Sequence, residues 1–275
     1  MICSLTLLFK DEQLILLIGD DHDESGIGDL IDHLRKHFSE LVIEVDPFNQ
    51  NQILAGANRY IVQGKNGSEF RKYRVDPRNS IKEYIRIMDE AKYLHNYKFT
   101  EKRFPNLSKI ESADDFFELI FPLWDSHIYI KTGSEYEEDI HDLVFNLPCV
   151  NDSLYEILKV HISNLPEGNE NTTNIKDYFN QIWKIIKSGK LRTFDPKTIF
   201  ASEFITANFT VLMDWYALLN ICLIVKNDLN SIIFVGDVHA QIYKEFLMTK
   251  LGFEIRYQSN RECGNVNVEE LFEYL

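Results

Sequence analysis

Apolar positions along this chain change their spacing several times, and each change marks an element. Ile2–Phe9 and Leu14–Ile18 are almost wholly apolar and are separated by Lys10-Asp11-Glu12-Gln13, a spacing that predicts a hairpin. Its second strand has no polar face, as expected for a central strand covered on both sides. A polar loop over 19–28 leads into a helix ending near Phe38, where Leu30, Ile31, Leu34 and Phe38 form one apolar stripe. Leu41–Val45 returns to an unbroken apolar run. Strand, helix and strand in about thirty residues predict a βαβ unit with parallel strands and a right-handed crossover.

Tyr60–Val62 and Lys72–Val75 read as further short strands. From Ser80 to about Lys190 the spacing is mainly helical, punctuated by Pro105, Pro122, Pro148 and Pro166, and is read as a cap over one end of the sheet. Phe204–Val225 is long and apolar, but Asp214 stands in its middle. A carboxylate at bilayer depth costs roughly 2.5–3.5 kcal/mol, so this segment reads as a buried helix rather than a membrane span. Ser231–Val235 is a strand, Ala240–Leu251 a helix closed by Gly252 at C′, Phe253–Tyr257 a strand, and Glu269–Leu275 a closing helix. The expected class is α/β: a mostly parallel central sheet from two βαβ halves with a large helical insertion. The N-terminal half covers 1–79, the insertion 80–203 and the C-terminal half 204–275, all in one continuous domain.

Composition narrows the partners. With 275 residues, 45% hydrophobic and 26% charged, the chain has the make-up of a globular protein able to bury a large core. A formal charge of -14 argues against a nucleic-acid partner and against an anionic membrane surface. Ile2–Phe9 lacks a basic leader and a small-residue cleavage site, so no signal peptide or membrane insertion is expected. Cys3, Cys149, Cys222 and Cys263 are widely spaced with no Cys-x-x-Cys pair. That spacing speaks against a disulfide framework or thiolate zinc site and for a reducing compartment, the cytoplasm.

The chemistry-bearing pattern occurs twice. Leu-Leu-Ile-Gly-Asp-Asp-His at 16–22 and Ile-Phe-Val-Gly-Asp-Val-His at 233–239 are each a buried strand ending in Gly-Asp-x-His. Glu44 ends the strand after the first, and Asp76 follows Lys72–Val75. In an open parallel sheet the C-terminal ends of strands share one edge, where ligands bind, so topology alone brings these groups together. His22, His239 and Glu44 suit a divalent transition metal (Zn, Mn, Co or Fe), with Gly19, Asp20, Gly236 and Asp237 framing the bound group. Glu44 and Asp76 are candidate bases for water, and Arg78 is a candidate clamp for developing negative charge. Structural readings stand beside these: Glu44 paired with a core Arg, Asp76 and Arg78 as a plain ion pair, and Asp20 and Asp237 as turn residues. His33 and His37 have metal-pair spacing but lie off the apolar stripe and are expected to face solvent. Asp20, Asp21, Asp23 and Glu24 lack the alternation of a calcium loop, and Ser134 and Cys149 lack the strand-turn-helix setting of a nucleophile.

The Gly-x-x-His after the first core strand, Glu44, Val-Asp-Pro-Arg at 75–78 and the closing strand-Gly-x-x-His-helix-Gly resemble the TraB/Tiki superfamily, which takes in erythromycin-esterase and ChaN-like proteins. The resemblance covers roughly 12–78 and 204–257. It implies a site of Gly19, His22, Glu44, Asp76, Arg78, Gly236 and His239. It also implies activities ranging from metal-dependent proteolysis and lactone hydrolysis to haem binding. Asp20 departs from it, since relatives often carry Glu there. Phe-Val-Gly-Asp-Val-His also resembles the opening block of calcineurin-like phosphoesterases, but the 36 residues after His239 contain no His to supply the further ligands. The expected function is a hydrolase acting on the acyl bond of a small-molecule or peptide substrate. The alternative is a non-catalytic binding or assembly protein, such as a virion component of a large DNA virus, found in the virion or host cytoplasm.

Overall fold

The computed structural model describes residues 2–20, 30, 33–44, 70–76, 175–187, 199–260 and 268–275. The chain divides into two compact units, Met1–Asp76 with Ala217–Leu275, and Pro77–Tyr216. The first unit is built on strands β1 (Ile2–Lys10), β2 (Gln13–Asp20), β3 (Glu40–Ile43), β4 (Arg71–Arg74), β5 (Ser231–Gly236) and β6 (Glu254–Asn260). They form one sheet in the order β4-β3-β5-β2-β1-β6.

The sheet is mixed, which corrects the expectation of a mostly parallel one. β4, β3, β5 and β2 are joined by parallel pairings, whereas β1 runs antiparallel to both β2 and β6. The cause is the tight turn at Asp11 (φ 52), which folds β1 directly against β2 and leaves it opposed to the strand it flanks. The Lys72–Val75 strand is found as β4, and Tyr60–Val62 lies outside the described residues.

One face of the sheet carries Leu5, Leu7, Leu16, Ile18, Leu41, Ile43, Ile232, Phe234 and Tyr257, packed with Leu30, Leu34, Phe38 and Leu271. Leu30, Leu34 and Phe38 of the stripe read from the sequence thus face the core, Ile31 lies outside the described residues, and His33 and His37 are exposed. Alternate strand residues face the other way. On that side the helix Asp237–Leu251 packs against β2, β5 and β1, burying Ala240, Tyr243, Phe246 and Leu247. Four helices are described in chain order: α1 (Ile175–Lys187), α2 (Ile199–Lys226), α3 (Asp237–Leu251) and α4 (Val268–Leu271).

α2 is apolar around its whole circumference, and Val211 to Ile221 are buried, Asp214 and Asn220 among them. No helix among the described residues is long and apolar enough to cross a membrane. α2 ends in a Schellman motif, with Leu229 N–H donating to Ile224 O and Asp228 N–H to Val225 O, and Asp228 (φ 53) taking the left-handed position. In α1, burial pushes the Tyr178 phenol well above its ordinary pKa, so it stays neutral.

The edge where the parallel strands begin is tied by side chains. Asn230 Oδ1 accepts from Leu14 N–H at 2.8 Å, its Nδ2 donates to His37 O at 3.1 Å, and Gln13 Nε2 donates to Leu229 O at 2.8 Å. Tyr73 OH donates to the fully buried Glu40 carboxylate at 2.8 Å, joining β4 to β3. Tyr73→Phe is expected to lower stability by about 2 kcal/mol, because a hydrogen bond to a buried carboxylate is lost while the ring still packs. Urea denaturation measures this, and an unchanged midpoint would show the bond to contribute nothing.

Candidate functional site

The register of the parallel strands decides which residues finish together. Asp20 on β2 stands opposite Gly236 on β5, and Ile43 on β3 stands opposite both Phe234 on β5 and Arg74 on β4. The ladders run one residue further: Glu44 N–H donates to Phe234 O at 3.3 Å and Val75 N–H to Ile43 O at 3.0 Å. Asp20, Glu44 and the Gly236–Asp237 turn therefore share one edge of the sheet, with Asp76 one strand further out and half-buried.

Two contacts bind this edge together. The Gly236 N–H, left over where β5 becomes α3, donates to Glu44 Oε2 at 2.9 Å. Glu44 is 9% exposed, so a buried carboxylate just past the end of β3 satisfies the N–H of the N-cap residue of α3, as the N3 carboxylate does in a capping box. Over Gly19, the Asp237 carboxylate receives a hydrogen bond from Ser4 Oγ, and Gln241 Nε2 lies 3.4 Å from Asp237 Oδ1 and 3.5 Å from Ser4 Oγ. A Cβ at Gly19 would come within 2.5 Å of Ser4 Oγ and 2.9 Å of Asp237 Cα. Glycine is required there by close approach of a neighbouring chain rather than by its own backbone angle.

Of the residues singled out in the sequence, Gly19, Asp20, Glu44, Gly236 and Asp237 lie along one edge of the sheet. The sequence pattern did not name Ser4 or Gln241. Their signals were present but faint. Ser4 is a polar residue in an apolar strand, opposite Gly19 in register, and Gln241 lies one helical turn after Asp237. His239, third in α3, is half-buried with its ring centroid 6.3 Å from that of Tyr243. His22 and Arg78 lie outside the described residues.

Comparison of the chain with protein-family models, curated proteins and solved structures finds no match. The site therefore has to be judged on its own chemistry. Among the described residues no three His, Cys, Asp or Glu side chains group as a metal ion needs. Glu44 and Asp237 are both engaged with the protein's own donors. Of the expected metal centre, His239 and Glu44 are described, and His22 lies outside the described residues.

An open cleft at the opposite edge is lined by Lys10, Arg35, Lys36, His37 and Asp228 among others. Its charges have mixed sign, and Lys10 Nζ is committed to Leu251 O at 2.8 Å. Of its polar lining residues, Gln13, Ser39 and Asn230 serve the ties that hold the strands' starting ends.

Cys222 is half-buried and takes no part in a disulfide, whereas Cys3 is disulfide-bonded. Wide spacing in sequence says little about spacing in space once a sheet folds the chain back on itself.

Proposed function

We propose that the C-terminal edge of the parallel strands is a hydrolytic site for an acyl bond (peptide, ester or amide), of the type the TraB/Tiki resemblance implies. The observation that carries this reading is the Glu44 carboxylate fixed at 2.9 Å by the Gly236 amide, on the same edge as Asp20 and Asp237. A carboxylate held by a backbone donor has one orientation, and a base with one orientation can be matched to a bound water. Glu44 takes the proton of the attacking water, with Asp76 as the second candidate base. The water oxygen adds to the carbonyl carbon, and Arg78 steadies the negative charge on the former carbonyl oxygen. His239 and His22 serve as imidazoles beside the reacting atoms. With a divalent Zn, Mn, Co or Fe ion bound, His22, His239 and Glu44 would hold it, and the ion would supply a more acidic water.

Purified protein offered ester, amide and peptide substrates, with metal content measured alongside, tests the reading. His22→Ala is expected to lower hydrolysis by at least about 100-fold, the usual scale for losing a group that handles a proton or holds the nucleophile. Hydrolysis indifferent to that change removes His22 from the site. Loss of metal together with activity assigns it as a ligand.

A second reading is favoured by the same contacts seen differently. Glu44 satisfies Gly236, and Ser4 and Gln241 satisfy Asp237, so the edge also works as a structural lock. On that reading the chain is a binding or assembly protein. It predicts stoichiometric partner binding and no turnover.

A further inference from the structure

We propose that the open cleft where the parallel strands begin is a binding site for a short peptide segment carrying side chains of both charge signs. Three turns wall it within one compact unit: the β1–β2 hairpin, the chain entering β3, and the link from α2 to β5. Its volume is about 900 Å³, near the top of the roughly 300–1,000 Å³ range of small-ligand sites and more than a single amino acid needs. Charge decides the class of occupant. The lining holds three basic side chains, Lys10, Arg35 and Lys36, and three acidic ones, Asp11, Glu12 and Asp228, a formal balance of zero with His37 neutral. In a chain of net charge -14 this balance is local. A phosphorylated ligand would meet three carboxylates, and a polyamine or a divalent cation would meet three bases, so like charge opposes either. A ligand of both signs finds a partner for each.

The turns do not account for the acidic residues. Asp11 (φ 52) and Asp228 (φ 53) are the non-glycine residues with positive φ in the described chain, and both line this cleft. Asn takes that left-handed conformation as readily as Asp, so the turns explain the size of the side chain and not its charge. The charges are not spent on one another either. Asp11, Glu12, Lys36 and Asp228 are exposed and form no ion pair among the described residues. The walls that carry them are fixed, by the Schellman motif at Asp228 and by the bonds of Asn230 to Leu14 and His37 and of Gln13 to Leu229. A cleft already in shape loses little freedom on binding, which lets contacts to exposed charges sustain a weak complex.

A zwitterionic lipid headgroup carries the same two signs. Of the described residues, however, the exposed large hydrophobics Val238, Met248, Ile255 and Phe272 all lie off this cleft. No apolar rim is supplied by them for entry into a bilayer, which favours the peptide.

The test titrates the full-length, isotope-labelled chain at low salt with end-capped peptides: Lys-Lys-Gly-Gly-Glu-Glu, an all-Lys and an all-Glu counterpart. A basic peptide is drawn to an acidic chain everywhere, so only amide shifts at 11–13, 36–39 and 228–230 are read. The mixed peptide is expected to bind there with a Kd of about 1 mM, and each single-sign peptide at least about fivefold more weakly. Asp11→Asn with Asp228→Asn keeps both turns and removes two negative charges, so preference should move to the all-Glu peptide. Lys36→Glu, at an exposed position, should move it to the all-Lys peptide, and it tests the site even if the double variant fails to fold. Salt at about 1 M, where the Debye length is about 3 Å, should abolish the shifts. No shifts at these amides up to about 10 mM mixed peptide, equal binding of the single-sign peptides, or unchanged preference in the folded variants overturns the proposal. Displacement of the mixed peptide by phosphatidylcholine vesicles would also overturn it, in favour of a membrane headgroup. The readout needs no turnover, so it is independent of the hydrolysis proposed at the other edge.

Discussion

Gly19→Ala is expected to unfold at lower urea than the parent protein, with a stability loss of about 1–3 kcal/mol and an unchanged denaturant slope. A methyl group at Gly19 meets not only the Ser4 hydroxyl at 2.5 Å but also the Asp237 Cα at 2.9 Å. A side chain could swing aside, but a backbone atom can retreat only by moving the start of α3. That movement draws the Asp237 carboxylate from Ser4 and loosens the turn that presents the Gly236 amide to Glu44. Gly252→Ala is the informative contrast. There the backbone is left-handed (φ 74) and nothing lies within 4 Å, so its cost of about 1–2 kcal/mol is conformational and leaves the site alone. Amide exchange at Gly236 separates the two variants: it should rise in Gly19→Ala and stay at the parental rate in Gly252→Ala. A Gly19→Ala protein of parental stability would mean that the strand ends are not packed as described.

Glu44 is the position where stability and chemistry come apart. In Glu44→Gln the amide oxygen can still accept from Gly236 N–H, so the fold is expected to lose less than about 1 kcal/mol. The proton acceptor is gone, however, and hydrolysis should fall by about 100-fold to 10,000-fold. Glu44→Ala removes both functions. It leaves a buried amide without a partner, a loss of about 1–3 kcal/mol that denaturation would detect. Under the structural-lock reading Glu44→Gln is nearly silent in every assay. The pair of substitutions therefore discriminates the two proposals as well as testing one of them.

What could be read from the chain depended on how local each cause was. Leu14–Ile18 and Ser231–Val235 declare themselves as buried strands because a strand covered on both faces has no room for polar residues, whatever surrounds it. Leu30, Leu34 and Phe38 were assignable to the core by spacing alone, and Gly252 to a helix end by its neighbours. The edge carrying Asp20, Glu44 and Asp237 was legible because one topological fact, shared strand direction, collects strand ends at one place. Sheet character was less so. The hairpin was visible, but β6 returning to the outer side of β1 is a pairing between residues more than two hundred apart, which no local pattern encodes. Ser4 and Gln241 escaped for the same reason. Each matters only because β1, β2 and α3 bring it to Asp237. Cys3 is the extreme case, since a disulfide is a statement about folded distance.

The proposed hydrolysis depends on Glu44 acting as a base at the edge where β2, β3 and β5 end. Its most direct measurement is the hydrolysis rate of the parent protein and of Glu44→Gln on the same ester, amide and peptide substrates, with Tyr73→Phe, altered at the opposite edge, as control. The expected result is turnover by the parent protein and by Tyr73→Phe, and loss of at least about 100-fold in a fully folded Glu44→Gln. A Glu44→Gln protein that works at the parental rate, or a parent protein that cleaves none of the substrates, would contradict it.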